Sequence, residues 1–291
     1  MPRVAAVVYA RRVPRLEDLY DVRGRVAVIT GAGGALCGAL AAGLASLGVR
    51  IAVLDVNAEK AEARVSRIRE DGGDARAFPC SVLDEAGLRS VLDEVVTRWG
   101  RLDFLINGAG GNDPRASTTE DFFEAGGRAG GFFDLGVEEF GEVFDLNFLG
   151  TFVPCKVFGA AMARGRAGSI VNISSMSALS PLTRVAAYSA AKAAVANFTR
   201  WLAVHLSHAG VRVNALAPGF FMTEQLRFLH IDPATGEYTP RAKKVIAHTP
   251  MGRYGEPEDL LGTVVWLLSD ASKFVTGIVV PIDGGSSSYS I

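Results

Sequence analysis

The 291-residue chain is predicted to be an α/β protein, one doubly wound parallel sheet with helices on both faces. Three observations predict it. From Arg25 to Ile282, short apolar runs alternate with longer Ala- and Leu-rich segments, as buried parallel strands alternate with the helices that cover them. The first run, Arg25–Thr30, enters a glycine-rich turn at Gly31–Gly38 that opens an Ala/Leu segment ending at Leu47. The second, Arg50–Leu54, is closed by Asp55.

Taken in order, residues 1–24 are an expected N-terminal extension, with Arg3, Arg11, Arg12 and Arg15 interleaved among small apolar residues. Residues 25–291 follow as a single domain, with no Pro/Ser-rich or charged linker to divide them. Strand, glycine turn and helix form a Rossmann-type dinucleotide site, in which the turn lets the backbone approach a pyrophosphate at the helix amino terminus. Gly31, Gly33, Gly34 and Leu36 are the expected contacts there. A turn of this kind also serves as a purely structural corner. Asp55 is placed to accept both ribose hydroxyls and to repel a 2′-phosphate. No Arg or Lys occupies Val56 or Asn57, so NAD(H) is expected over NADP(H). The same carboxylate suits the cap of the helix Ala58–Arg69.

Next come a strand at Arg76–Cys80, Ser81 and Val82 at its end, a helix Glu85–Trp99, and a strand Leu102–Ile106 leading into Asn107-Gly-Ala-Gly-Gly111. Residues 112–136 form an insertion with paired aromatics, Phe122-Phe123 and Phe132-Phe133, suited to lining a pocket or meeting a sister subunit. A helix begins at Val137 and carries Asn147. The strand Ser169–Ser174 leads to Ser175, and an Ala-rich helix spans Ala186–Leu206. After the strand Val211–Ala217, Pro218-Gly219 turns the chain into a lid over about residues 220–251, broken by Pro233 and Gly236. A helix at Gly255–Leu268 and a strand at Gly277–Ile282 complete the pattern.

The chemistry concentrates between Ser175 and Lys192. Tyr188 and Lys192 stand one helical turn apart, so a phenol and an ammonium rise from one helix face. A neighbouring cation favours phenolate and brings a phenol toward working range at neutral pH. By itself the segment also suits an Ala-rich core helix. Arg184, on the turn between Ser175 and Tyr188, is expected to grip a substrate carboxylate through two parallel hydrogen bonds, with Arg227, Lys243, Lys244 and Arg253 as rival cations.

Ser175 followed by Tyr188-x-x-x-Lys192, the glycine turn, Asn107-Gly-Ala-Gly, Asn147 and Pro218-Gly219, in that order, resemble the short-chain dehydrogenase/reductase family. Segments 107–112, 145–150, 181–184, 217–225 and 247–257 resemble its D-mannonate oxidoreductase (fructuronate reductase) subgroup. The resemblance implies a catalytic set of Asn147, Ser175, Tyr188 and Lys192, with Tyr188 exchanging the proton and Asn147 holding a water that links Lys192 to solvent. It implies cofactor contacts at Ser81, Val82, Asn107, Ala109, Gly110, Tyr188, Lys192, Pro218, Gly219 and Thr223, with Thr223 on the nicotinamide carboxamide. Asn112, Ser177 and Gln225 join Arg184 as expected substrate contacts. A homotetramer is implied as well. The chain departs from the family's Thr-Gly-x-x-x-Gly-x-Gly with Ala35 and Cys37 at the later glycines, and Ser81 replaces the usual Asp at the adenine.

A formal charge of −1 offers no basic field for nucleic acid. No uninterrupted apolar run predicts a membrane span, and no secretory signal is expected. Three dispersed cysteines, Cys37, Cys80 and Cys155, suit reduced thiols, and His205, His208, His230 and His248 lack metal-binding spacing, so a cytoplasmic, metal-free enzyme is expected. The expected reaction is NAD(H)-dependent interconversion of a keto sugar acid and its hydroxy acid, D-fructuronate and D-mannonate by resemblance. Another polyol or ketogluconate dehydrogenase, a 3-oxoacyl reductase, and an NAD-binding sensor without turnover are the alternatives. A sensor has no need of a phenol beside an ammonium.

Overall fold

The computed structural model describes residues 13–123, 125, 130–223, 226–227 and 230–289. Seven parallel strands form one sheet in the order β3-β2-β1-β4-β5-β6-β7. They are β1 Val26–Thr30, β2 Arg50–Asp55, β3 Ala75–Pro79, β4 Phe104–Asn107, β5 Gly168–Ile173, β6 Val211–Pro218 and β7 Val279–Ile282. The helices are α1 Leu16–Leu19, α2 Ala35–Ser46, α3 Ala58–Glu70, α4 Glu85–Trp99, α5 Val137–Gly165, α6 Ala186–Leu206, α7 Pro240–Ala247 and α8 Leu261–Leu268.

Side chains leave a strand alternately on its two faces. β1 therefore sends Ala27 and Ile29 into a core with Leu40 and Leu44 of α2, Ile68 of α3 and Leu267 of α8. Val26 and Val28 enter the opposite core, with Leu88 of α4, Phe158 of α5 and Leu202 of α6. With both faces covered, every residue of β1 and β4 is buried, which is why these strands are continuous apolar runs in the sequence. The 29-residue α5 is long and apolar enough to cross a membrane, but half of its apolar window is buried inside this fold. Its apolar face belongs to the second core.

Strand order reverses between β1 and β4, which opens a crevice at the carboxyl ends of the sheet. Thr30 is in register with Leu54 on one side and Asn107 on the other, so the loops that follow these three residues meet at that point.

Several elements differ from expectation for visible reasons. β1 and β4 begin later than Arg25 and Leu102 because the Asp103 carboxylate gathers the region beneath them. It accepts the Val26 N–H at 2.9 Å, the Arg25 guanidinium at 3.1 Å and the Arg101 Nε at 2.8 Å. Asn57, not Asp55, caps α3 by accepting the Lys60 N–H. The expected helix from Gly255 is a 3₁₀ turn at Pro257–Leu260 followed by α8, the proline being confined to the first turn. The end of the predicted extension is part of the fold. Val22 is buried in the first core, and the Gly24 N–H donates to the Gly48 carbonyl. Within the predicted lid, the described residues hold α7, an Ile231–Tyr238 bridge, and His230 hydrogen-bonded to the Tyr254 hydroxyl at 2.8 Å.

Candidate active site

β5 and α6 fix the reacting groups against each other. The Ser174 hydroxyl, just past β5, donates to the Lys192 carbonyl of α6 at 2.9 Å, and the Lys192 ammonium donates back to the Ile173 carbonyl at 2.9 Å. Lys192 is only 4% exposed, and this burial pulls its pKa down to about 8. Ser175 accepts the Ser177 N–H at 3.1 Å and shares a hydrogen bond with the Tyr188 phenol. Tyr188 packs against the small cluster of Ala116, Val143 and Ala187.

The lowering of the Tyr188 pKa expected from Lys192 is not the leading effect on the phenol. Burial raises the phenol's pKa, and the opposing pull comes from Ser175. The ammonium lies 5.5 Å from the ring centroid and is held by the Ile173 carbonyl. Asn147 is likewise engaged: its amide donates to the carbonyls of Gly111 (2.7 Å) and Val143 (2.8 Å) and accepts the Gly111 N–H (3.2 Å). Its backbone carbonyl takes the Thr151 hydroxyl at 3.0 Å. In this geometry Asn147 anchors the loop after β4 to α5.

A cleft of about 940 Å³ runs across the switch point. Gly31, Gly33, Gly34, Leu36, Asp55, Ser81, Val82, Ala109, Gly110 and Thr223, expected from the sequence to contact the cofactor, line it. The arrangement fits a dinucleotide. Gly34 caps α2 without a side chain, so the first-turn N–H groups at the cleft wall are open to an anion. Gly31 has φ +68°, and a Cβ there would come within 2.9 Å of the Ala109 backbone, so only glycine allows the two loops to meet. Both carboxylate oxygens of Asp55 accept backbone N–H groups, from Gly33 at 3.0 Å and Asn57 at 2.9 Å, which orients the acid before any ribose arrives.

Other predicted contacts fall elsewhere. Asn107 is buried behind the cleft wall, donating to Asn172 at 2.8 Å and to the Cys155 sulfur at 3.1 Å. Gly219 is required by packing, since a Cβ would lie 2.7 Å from the Asp283 Cα. It, Pro218, Tyr188 and Lys192 are not among the residues that line the cleft. Asn112 donates to Ser117 within the insertion, at 2.9 Å. Arg184 is paired with Asp121, Nε to Oδ1 at 2.6 Å, and its guanidinium is therefore not free. Ser177 is buried beside Ser175. Gln225 lies outside the described residues.

A family model described as enoyl-(acyl carrier protein) reductase matches residues 31–287. The uncharacterised oxidoreductase UxuB of Bacillus subtilis is 48% identical over 279 residues, covering 96% of this chain and 99% of that one. A Haemophilus influenzae structure with bound NAD, named as a candidate D-mannonate oxidoreductase, is 44% identical with a TM-score of 0.88, over 93% of this chain and 97% of that one. The 5-keto-D-gluconate 5-reductase of Escherichia coli is 30% identical, over 93% and 98%. The chain belongs to the short-chain dehydrogenase/reductase family. It is an oxidoreductase that acts on CH–OH groups with a nicotinamide cofactor.

As a member of that family it carries an exchange within its glycine turn. Cys37 stands where the family has glycine, and its sulfur occupies the space into which a Cβ at Gly108 would project. Glycine at position 108 therefore accommodates the thiol. Burial pushes the Cys37 pKa up to about 12, so it is a packing group and not a nucleophile. Sequence reasoning also missed Lys60, Arg64, Leu146 and Glu258 in the cleft wall. Lys60 and Arg64 stand one turn apart on α3, a spacing that marks a shared face, but nothing in the sequence says that this face meets α2.

The pair at 37 and 108 is open to a direct test. Gly108→Ala is expected to destabilise the chain by roughly 1–3 kcal/mol through overpacking and to weaken NADH binding, and Cys37→Gly in the same chain to restore most of both. Thermal melts and NADH titrations of the single and double variants measure it. Equal losses in the two would show that the positions do not share space.

Proposed function

We propose that this enzyme is an NAD(H)-dependent, cytoplasmic reductase that interconverts D-fructuronate and D-mannonate. The observation that carries the reaction class is the hydrogen-bonded Ser175–Tyr188 pair beside the buried Lys192, at the edge of a cleft built for a dinucleotide. The substrate rests on likeness to the candidate D-mannonate oxidoreductase and to the 5-keto-D-gluconate 5-reductase. A D-threitol dehydrogenase of Mycolicibacterium smegmatis, 34% identical, favours an uncharged polyol as the second reading.

In this reading Gly33 to Leu36 hold the cofactor's pyrophosphate, Asp55 its adenosine ribose, Lys192 its nicotinamide ribose and Thr223 its carboxamide. Bound nicotinamide supplies the hydride, or accepts it. Ser175 holds the substrate oxygen, and Tyr188 gives that oxygen a proton during reduction or takes it during oxidation. Burial keeps the phenol protonated at neutral pH, which suits donation to a developing alkoxide. The preference for NAD(H) is supported by Asp55, already oriented toward a ribose, and by the NAD-bound relative. A homotetramer is supported by a half-exposed aromatic row on α5 and α6, Phe152, Phe198 and Trp201, with rings 5.7 and 6.2 Å apart. Sedimentation as a monomer would contradict it.

Initial rates with D-fructuronate, 5-ketogluconate and an acetoacetyl thioester, each with NADH and NADPH, decide the substrate. D-Fructuronate with NADH is expected to be fastest. Tyr188→Phe should still bind NADH and lose turnover by roughly three orders of magnitude, because it removes only the proton donor. Near-normal turnover in that variant sinks the mechanism.

The cofactor assignment has its own outcome. Asp55→Ala should weaken NADH and narrow its kcat/KM advantage over NADPH by at least about tenfold, since a repelled 2′-phosphate loses its opponent. An unchanged ratio would reduce Asp55 to a brace for the glycine turn.

A further inference from the structure

Asp121, in the insertion, is held by groups from two other elements. Arg184 and Thr183, on the turn before α6, both hydrogen-bond it, and Lys244 of α7 adds a favourable charge. These groups pull the carboxyl below the usual aspartate range. The pair is also half-open to solvent, with side-chain exposures of 45% for Arg184 and 31% for Asp121. A half-exposed ion pair contributes about 0–1 kcal/mol, so a carboxylate arriving from solution can compete for the guanidinium. Arg184 is strained, with φ +70°, and the Thr118 N–H holds its carbonyl at 2.9 Å. Strain of this kind persists only where the surroundings impose it, and it clusters at ligand-binding turns.

The groove beside this seat is lined largely by small and apolar side chains, among them Ala178, Pro181 and Leu182. Arg184 borders a groove of about 470 Å³ shared with Thr118, Ser177, Leu182 and Ser189. Ser177 and Ser189 are 2% and 5% exposed, and among the described residues neither hydroxyl has a hydrogen-bond partner. Buried hydroxyls are ordinarily paired, and these two are closed to solvent, so they add no hydrogen bond to a ligand unless the groove opens. The Ser177 N–H in turn donates to the Ser175 hydroxyl, which connects the groove to the reacting centre.

We propose that Arg184, with Thr183 and Lys244, is the seat for the carboxylate of a polyhydroxy acid, and that Asp121 occupies this seat until such an acid displaces it. The nature of the ligand rests on the sugar-acid reading, whereas the seat can be tested without turnover. Exchange also reaches Tyr188, because the insertion that carries Asp121 packs Ala116 into the cluster beneath the phenol. Asp121 is thereby a specificity-determining residue: an uncharged polyol cannot displace it.

The test is calorimetric titration of the full-length, NADH-saturated protein with D-gluconate, and with D-sorbitol as the uncharged control. Asp121→Asn is expected to tighten D-gluconate roughly two- to fivefold and leave D-sorbitol unchanged. Adding Arg184→Asn, which tolerates the left-handed backbone, should abolish that gain. A chain that melts as wild type shows that the loss is not unfolding. Unchanged or weaker D-gluconate binding in Asp121→Asn overturns the proposal, as does a gain that survives loss of Arg184 or no measurable D-gluconate binding in any form. Tightening without turnover of any sugar acid would fault the proposed substrate and keep the seat, and turnover without tightening would fault the seat alone.

Discussion

Among the described residues the buried Lys192 ammonium bonds to one backbone carbonyl, that of Ile173, and the layout of the site depends on this contact. Burying a charge with so few partners is costly, and the lowered pKa expresses that cost. At pH values below about 8 the folded chain carries the buried charge and is destabilised by it. As pH rises from there toward the unfolded lysine's ordinary value the folded chain holds fewer protons than the unfolded one, and the penalty fades. β5 supplies the carbonyl, α6 supplies the lysine and the tyrosine, and Ser174 ties the two elements together.

The glycine turn and the loop after β4 are fitted to the same place. Gly31 approaches Ala109 at a distance no other residue permits, and Cys37 fills space that Gly108 leaves open. Asn147 then fixes the Gly111 backbone from α5. Together these contacts bring α2, β1, β4 and α5 to the switch point. The loops are held by packing and by side-chain bonds to backbone, so the cleft is largely formed before any ligand enters.

Much of this was legible in the sequence because it is local or periodic. α4 and α6 run over the predicted residues, since their amphipathic or Ala-rich patterns end at clear boundaries. The parallel, doubly wound class follows from the alternation and the glycine turn, and the structure supplies the strand order. Tertiary partners were not legible. The assignment of Asp55 as a helix cap fails because Asn57, two residues later, offers a better-placed oxygen. Nor does spacing along a helix reveal that the Lys192 ammonium turns toward the Ile173 carbonyl, 5.5 Å from the Tyr188 ring centroid. The pairing of Arg184 with Asp121 joins residues 63 apart, across an insertion whose path no local pattern describes.

Whether the ammonium on the Ile173 carbonyl is the buried charge that joins β5 to α6 is read most directly from its own titration. In ¹⁵N-detected NMR of the cofactor-free protein, with Lys192 assigned by loss of its signal in Lys192→Met, the account predicts a titration midpoint near 8. A midpoint close to the ordinary lysine value of about 10.4 would show a solvated ammonium and contradict it.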